Sequence, residues 1–406
     1  MTIQQLKKEV ELTLHHNILS YWSEKMVDTA NGGFLGRVSG TEQPDPEAPK
    51  GAILNARILW AYSAAYRVTG NPQYLTMAQR TFQYIRDHFI DPQYGGVYWS
   101  LNPDGSALDT KKQIYAIGFT IYGLSEYARA TGDKSAKQTA IGLFQDIEEH
   151  AYDAINNGYI EALTRDWQPI GDMRLSDKDE NGSRTMNTHL HIIEPYTNLY
   201  RIWPDAQLRE RLINLLHIFT DKLLNINTYH LDLFFNDEWQ GKRNVESYGH
   251  DIEASWLLHE TALVLCNTDT TTEQAEENKT ILSHIERVIR KIAAAADEGL
   301  QADGSMIYEH WKDTHKTDRQ RQWWVQCENI IGHIDLYQYF GDKAALQKAI
   351  NCWVYVKQYL LDRENGEWYW SADEDGHPNT TDDKAGFWKC PYHNSRMCLE
   401  LLERKF

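Results

Sequence analysis

The sequence predicts an all-α fold, an (α/α)6 barrel of six helical hairpins with short β-hairpin loops, and three observations predict it. The first is a recurring helix end. Amphipathic stretches over 55–71, 115–133, 187–205, 250–267 and 324–342 close on Asn71, Asp133, Asp205, Asn267 and Asp342, end points that recur every 62 to 75 residues. The second is that each end leads into another helical pattern, as at 75–89, 135–151 and 344–361. The unit is therefore helix, short turn, helix, and a longer return. The third is a β-like signature in most returns: Asn31-Gly-Gly-Phe-Leu, Tyr94-Gly-Gly-Val-Tyr-Trp, Asn157-Gly-Tyr-Ile and Asn365-Gly-Glu-Trp-Tyr-Trp. Glycine beside alternating aromatics suits small hairpins.

The two ends complete the ring. Segments 3–22 and 392–406 each supply half a unit and together make the sixth. One helical hairpin cannot bury its apolar face alone, whereas a closed ring of them can. Length alone would suggest about two or three domains. The repeat replaces that expectation with a single (α/α)6-barrel domain over 1–406.

Composition narrows the partners. Hydrophobic residues make up 42% of the chain, enough for a substantial core, and 14 tryptophans is a high count. Most of these rings belong in the core; those that line a groove would carry the C–H faces of sugars. The net charge of −17 repels phosphates and anionic lipid, so neither nucleic acid nor a membrane is an expected partner. No apolar run approaches the roughly 18 residues that span a bilayer. No basic segment followed by an apolar one opens the chain, so no signal peptide is expected. Cys266, Cys327, Cys352, Cys390 and Cys398 are odd in number and lack Cys-x-x-Cys spacing, which argues against a disulfide framework or zinc knuckle. A reducing cytoplasm is the expected setting, and a monomer or weak homo-oligomer the expected state.

Aligning the first helix of each unit on its terminal Asn or Asp brings polar residues into register. Fourteen residues before the end lie Arg57, Phe119, His191, Glu253 and Glu328; eighteen before it lie Ile53, Tyr115, Asn187, Gly249 and Trp324. Four residues is about one turn, so both rows share a helix face. Equivalent positions in a barrel point at a common axis. Arg57, His191, Glu253 and Glu328 are thus expected in one cavity, with Tyr115, Asn187 and Trp324 a layer above and His250 close to that upper layer. Their neighbours are strongly apolar, and buried charge is costly unless paired; this set could pair internally. His15, His16, His88 and His284 sit in helical segments without a cluster and receive no role. His189 and His191 alternate, but no further ligand set stands out at matching spacing, so no metal is expected. The polar loop 173–185 runs into the Asn187/His191 helix and reads equally as a lid or as a solvated loop.

Five segments then carry a resemblance: Leu54-Asn-Ala-Arg57, Met186-Asn-Thr-His-Leu-His191, Ser247-Tyr-Gly-His-Asp-Ile-Glu-Ala-Ser-Trp256, Trp323-Trp-Val-Gln-Cys-Glu328 and Trp388-Lys-Cys-Pro-Tyr-His-Asn-Ser-Arg-Met397. In order and over essentially the whole chain, they resemble the N-acylglucosamine 2-epimerase superfamily, most closely its cellobiose 2-epimerase branch. That resemblance implies an (α/α)6 barrel that inverts C2 of the reducing-end sugar of a β-1,4-linked disaccharide, turning cellobiose into glucosyl-mannose and lactose into epilactose. It implies no metal, nucleotide or other cofactor. It assigns the acid/base pair to His250 and His393, and it matches Arg57, Tyr115, Asn187, His191, Glu253, Trp324, Glu328 and Trp388 to site positions. Whether Trp323 or Trp324 faces the sugar stays open.

The residue types suit that chemistry. A proton next to an aldehyde leaves only if the enediolate is stabilised, which needs a base near neutral pKa and a cation or donor at the carbonyl oxygen. Histidine suits the first task; Arg57 and His191 suit the second. Inversion needs removal from one face and return to the other, hence two bases. The expected scheme has His393 removing the C2 proton, His250 returning one, Glu253 orienting His250, and His191 or Glu328 assisting ring opening. Trp388 and Trp324 would stack on the sugar. The alternatives are an N-acylglucosamine epimerase or aldose–ketose isomerase of the same superfamily, a glycoside hydrolase using Glu253 and Glu328, and a sugar-binding scaffold.

Overall fold

The structure is a computed structural model that describes residues 1–242, 244–268 and 271–406. Its helices are α1 (Ile3–Thr13), α2 (Ser20–Lys25), α3 (Ala52–Thr69), α4 (Pro72–Tyr84), α5 (Ile114–Thr131), α6 (Lys134–His150), α7 (Met186–Tyr200), α8 (Ala206–Ile218), α9 (Tyr248–Asn267), α10 (Thr272–Ala296), α11 (Trp323–Phe340), α12 (Lys343–Tyr355) and α13 (His393–Glu403). A wide π turn, Leu14–Leu19, joins α1 and α2 into one rod. Similar π turns end α4, α8 and α12.

The packing is cyclic. Helices α3, α5, α7, α9, α11 and α13 touch in that order, and α13 returns to α3. Each inner helix carries an outer partner, from α4 on α3 to α1 on α13. This is the all-α (α/α)6 arrangement. The inner helices are buried on nearly every side, as in α5, where every residue from Ile114 to Ala128 is buried. The outer ones bury a single stripe, such as Leu208, Leu212, Leu215 and Leu216 on α8.

Local chemistry explains the repeated Asn/Asp. Helices α3, α5 and α11 end on Gly70, Gly132 and Gly341, all left-handed, a conformation that glycine adopts without cost. The following Asn71, Asp133 and Asp342, with Asp205 after α7, then cap the next helix by accepting backbone N–H groups through their side chains. Asn267 differs: it is the last residue of α9, and Thr271 caps α10.

The returns are small antiparallel bridges: Val27 with Phe34, Ile90 with Val97, Leu224 with Leu231, Leu300 with Met306 and Leu361 with Trp368, and the pair Tyr152–Asp153 with Gly158–Tyr159. The turns at 225–230 and 301–305 lack the glycine–aromatic signature and were not anticipated from sequence. In four hairpins an Asp accepts backbone N–H groups of the turn and pairs with a buried base: Asp28 with Lys50, Asp91 with Lys112, Asp153 with Arg184 and Asp362 with Lys384. Each joins a hairpin to the chain entering an inner helix or, for Lys384, to the loop before α13.

Candidate active site

The first turns of the inner helices meet at one mouth of the ring. Arg57, Phe119, His191, Glu253 and Glu328 each stand sixth in their helix, in α3, α5, α7, α9 and α11. The spacing therefore identified a real register, although Asn267 is not a cap. The α13 helix adds His393 at its first position and Arg396 one turn later.

Arg57 lies between rings, its guanidinium 4.1 Å from the Phe119 centroid and 4.7 Å from that of Tyr392. Its Nη2 donates to Tyr115 Oη at 2.9 Å and its Nη1 stands 3.8 Å from Cys390 Sγ, while the buried Nε has no partner among the described residues. No carboxylate pairs with it among those residues. A buried cation without a counter-ion is a ready electrostatic partner for a developing anion.

His191 sits at a kink. Pro195, four residues on, has no N–H to meet the His191 carbonyl, and His191 leaves the helical region at φ −91°, ψ 16°. That carbonyl faces Gly118, where an added Cβ would stand 2.4 Å from the oxygen. The kink turns the imidazole toward Tyr115 and Phe119, with centroids at 5.0 and 4.8 Å, while Nδ1 meets Glu194 Oε2 at 3.0 Å.

Arg396 organises the charged floor. Its Nη2 donates to Glu253 Oε1 and Glu328 Oε1, both at 2.7 Å, and its Nη1 reaches Glu194 Oε1 and the Tyr392 hydroxyl. Burial would raise the Glu194 carboxyl, but Arg396 and His191 outweigh it and bring it to about 2. Burial pushes Glu253 well up, with the neighbouring Glu328 charge next in importance, and burial also pushes Glu328 up against the pull of Arg396. Geometry tells the two apart. Glu328 receives three donors: Arg396, Trp256 Nε1 at 3.0 Å and His393 Nδ1 at 2.7 Å. Glu253 Oε2 has none among the described residues. The pair's proton thus belongs on Glu253, and Glu328 is the carboxylate.

Two histidines lie close to Trp324. Its ring lies 4.8 Å from His250 and 5.6 Å from His393. Gly249 permits this placement: a Cβ there would stand 2.7 Å from the Trp324 ring. His250 Nδ1 meets Ser247 Oγ at 2.8 Å. Burial, then the nearby His191, brings His250 down to about 3. Burial, with Arg57 and Arg396 nearby, holds His393 well below its ordinary value. Both imidazoles are neutral at pH 7. Each also lies in the first turn of its helix, where the dipole disfavours a cation.

The other expected residues fall as follows. Trp388 is half-buried, edge-on to Tyr115 at 6.1 Å and to Trp99 at 6.0 Å. Trp323 turns to Trp370 at 4.8 Å and to Lys389, so Trp324 is the indole that lies against both histidines. Asn187 is half-buried, with its Oδ1 unpartnered among the described residues. Glu253 was expected to orient His250; it bonds Arg396 instead and stands 3.9 Å from His393 Nδ1. The loop 171–183 is pinned by Asn181, which bonds Met173 N and Gly171 O. Sequence reasoning missed Glu194 and Arg396. Each lies three residues after a motif histidine, a one-turn spacing that could have found them.

Residues 33–396 match the N-acylglucosamine 2-epimerase (GlcNAc 2-epimerase) family. The chain is 58% identical over 397 residues to a cellobiose 2-epimerase of Bacteroides fragilis, covering 98% of both chains. It is 38% identical to a cellobiose 2-epimerase of Ruminococcus albus, covering 100% of this chain and 99% of that one. The solved structure of a cellobiose 2-epimerase from Bacillus thermoamylovorans superposes with a TM-score of 0.92 at 38% identity, covering 99% of this chain and 100% of that one. The chain belongs to the N-acylglucosamine 2-epimerase family.

Proposed function

We propose that this chain inverts C2 of the reducing-end sugar of β-1,4-linked disaccharides, cellobiose to glucosyl-mannose and lactose to epilactose, through a cis-enediolate. The observation that carries this reading is the pair of imidazoles, His250 and His393, whose rings lie 4.8 and 5.6 Å from that of Trp324. Relatives of 58% and 38% identity bearing the name cellobiose 2-epimerase support it.

In the gluco-to-manno direction His393 Nε2 takes the C2 proton. Its Nδ1–H is directed at Glu328, which stabilises the imidazolium that forms. Charge builds on the C1 oxygen, and Arg57, with no carboxylate partner among the described residues, stabilises it. His250 returns a proton to the opposite face. Since both histidines start neutral, His250 takes that proton from solvent, and His393 returns the one it has taken to solvent as the cycle closes. Glu328 is committed to three donors, which leaves His191 as the better group for ring opening. Trp324 and Trp388 hold the sugar rings, with Tyr115 and Asn187 at the hydroxyls.

A hydrolase would set two carboxyls about 5–10 Å apart across a glycosidic bond. Glu253 and Glu328 instead share Arg396, with ligand atoms within 4.8 Å of each other. We further infer one catalytic domain over 1–406, acting without metal or cofactor in the cytoplasm, as a monomer or weak homo-oligomer. Cellobiose incubated in D2O tests the reading. Glucosyl-mannose carrying deuterium at C2 is expected, and His393→Asn should abolish it; product without deuterium, glucose, or full activity in His393→Asn would overturn it.

A further inference from the structure

The hairpin that enters α9 departs from its siblings. Before α3, α5 and α7, the residue two ahead of the helix is a base paired to the turn Asp: Lys50 to Asp28, Lys112 to Asp91, Arg184 to Asp153. Before α9 the turn residue is Asn225 and the residue two ahead of the helix is Glu246. An acid has replaced the base. The backbone is otherwise equivalent: Asp28 N donates to Gly33 O, Asp91 N to Gly96 O, and Asn225 N to His230 O. His230 therefore stands where the hairpins before α3 and α5 carry glycine.

The His230 ring is only 3% exposed, and its Nδ1 meets Asp251 Oδ2 at 2.7 Å. Its Nε2 faces Glu246 Oε1 at 3.4 Å and Glu298 Oε2 at 3.6 Å, yet hydrogen-bonds neither and has no partner among the described residues. All three side chains line an open cleft of about 510 Å3. We propose that this cleft binds one divalent transition-metal cation of the zinc class through His230 Nε2, Glu246 and Glu298, with Asp251 orienting the imidazole.

Three arguments support it. Ligand atoms about 2.0–2.1 Å from a tetrahedral zinc lie about 3.3–3.4 Å apart, close to the two separations found here. An imidazolium would turn its Nε2–H onto one carboxylate; this nitrogen is shared between two. A carboxylate on the far nitrogen fixes the tautomer that a metal-binding histidine needs. His310 pairs directly across from Glu246 in the strand ladder and lines the same cleft, so it or a water completes the set. Lys312 touches Glu246 and must swing aside; it is one-third exposed on a flexible stem. The ion would tie the 225–230 turn to α9, the 309–311 strand and the Asp297–Gly299 turn. That role is structural, and it stands whether or not the epimerase reading holds.

The full chain, stripped with a chelator and titrated with Zn2+ by calorimetry, is expected to bind one ion with micromolar Kd or tighter and to gain Tm. Glu298 is 63% exposed, so Glu298→Gln should fold normally; it is expected to weaken binding about tenfold or more. Asp375→Asn, in a separate exposed cluster with Asp373 and His377, should leave the ion in place, and Lys312→Met should tighten it. Absence of Zn2+ binding by the wild-type chain, or a loss smaller than tenfold in Glu298→Gln, overturns the proposal and leaves His230 an imidazolium among carboxylates.

Discussion

The two histidines beside Trp324 are held in opposite ways. His393 is anchored by an ionised carboxylate: Nδ1 on Glu328, Glu328 on Arg396, and Arg396 on Glu253 and Glu194. His250 rests on the neutral, rotatable hydroxyl of Ser247 and on the face of Trp324. The first arrangement fixes one tautomer and stabilises an imidazolium. The second fixes neither tautomer and offers no hydrogen-bonded charge. A pocket that runs one reaction in both directions is thus built with one strongly supported base and one weakly supported base. Each prediction below strikes one half and asks whether the other notices.

The largest effect is expected from Arg396→Met. It leaves Glu194 and Glu328 buried without their cation, and breaking a buried pair in this way costs about 3–5 kcal/mol. A fall in Tm together with loss of C2 exchange by about 10³-fold is expected, the latter because His393 loses its oriented partner. Thermal melts and deuterium wash-in measure both. Retained activity at lowered Tm would make the network purely structural. Next comes Glu328→Gln, which keeps the shape and removes the charge. A loss of kcat of about 10²-fold is expected, within the range for a lost orienting charge or oxyanion donor. Glu253→Gln is the matched control: it copies the protonated form that the geometry assigns to Glu253, so a change of under about threefold is expected. A larger loss in Glu253→Gln than in Glu328→Gln would place the proton on Glu328 and reverse the comparison.

These two halves differed in how legible they were. The register Arg57, His191, Glu253 and Glu328 came from helix geometry alone, because every inner helix starts at the same distance from its row. The ring itself was legible for a related reason: the capping Asn or Asp marks the hairpin apex wherever glycine ends the preceding helix. The histidines were reached only through family resemblance. His250 stands third in its helix and His393 first, so neither falls on the row. The Glu253 partner was misjudged, since spacing within α9 cannot reveal that Arg396 enters from the other end of the chain. The kink at His191 was latent in Pro195, four residues away. Inverted charge in the hairpin before α9 becomes visible only once the hairpins are superposed as a repeat.

Acid pH probes both halves at once. Each imidazole is lowered in the folded state, so the native chain binds fewer protons than the unfolded one below about pH 6.5. Stability should be unaffected by these groups above that value and fall as pH drops from there toward 3, where His250 finally takes its proton. Imidazole resonances followed by NMR are expected to show the His250 ring still neutral at pH 5. A His250 that titrates near 6.5 would mean the resting pocket already holds the proton that the return step needs. Tm measured against pH should then flatten in its acid limb.

Apart from the Glu253→Gln control, the smallest effect is the most discriminating. Ser247 closes the strand before α9 and gives His250 its one side-chain hydrogen bond among the described residues, at 2.8 Å. Ser247→Ala removes a neutral bond, worth about 0.5–1.5 kcal/mol, so a loss of up to about tenfold in kcat is expected. The loss should not be shared equally between directions at the level of proton transfer. His250 removes the proton when the manno epimer is substrate, whereas His393 removes it from the gluco epimer. Since no substitution can alter the overall equilibrium, the asymmetry must appear in isotope effects rather than in net yield. With C2-deuterated sugars, Ser247→Ala should raise the primary isotope effect for the manno epimer and leave that for the gluco epimer near the wild-type value. Matching increases in both directions would mean the two bases are equally supported, and the contrast between carboxylate and hydroxyl would carry no mechanistic weight.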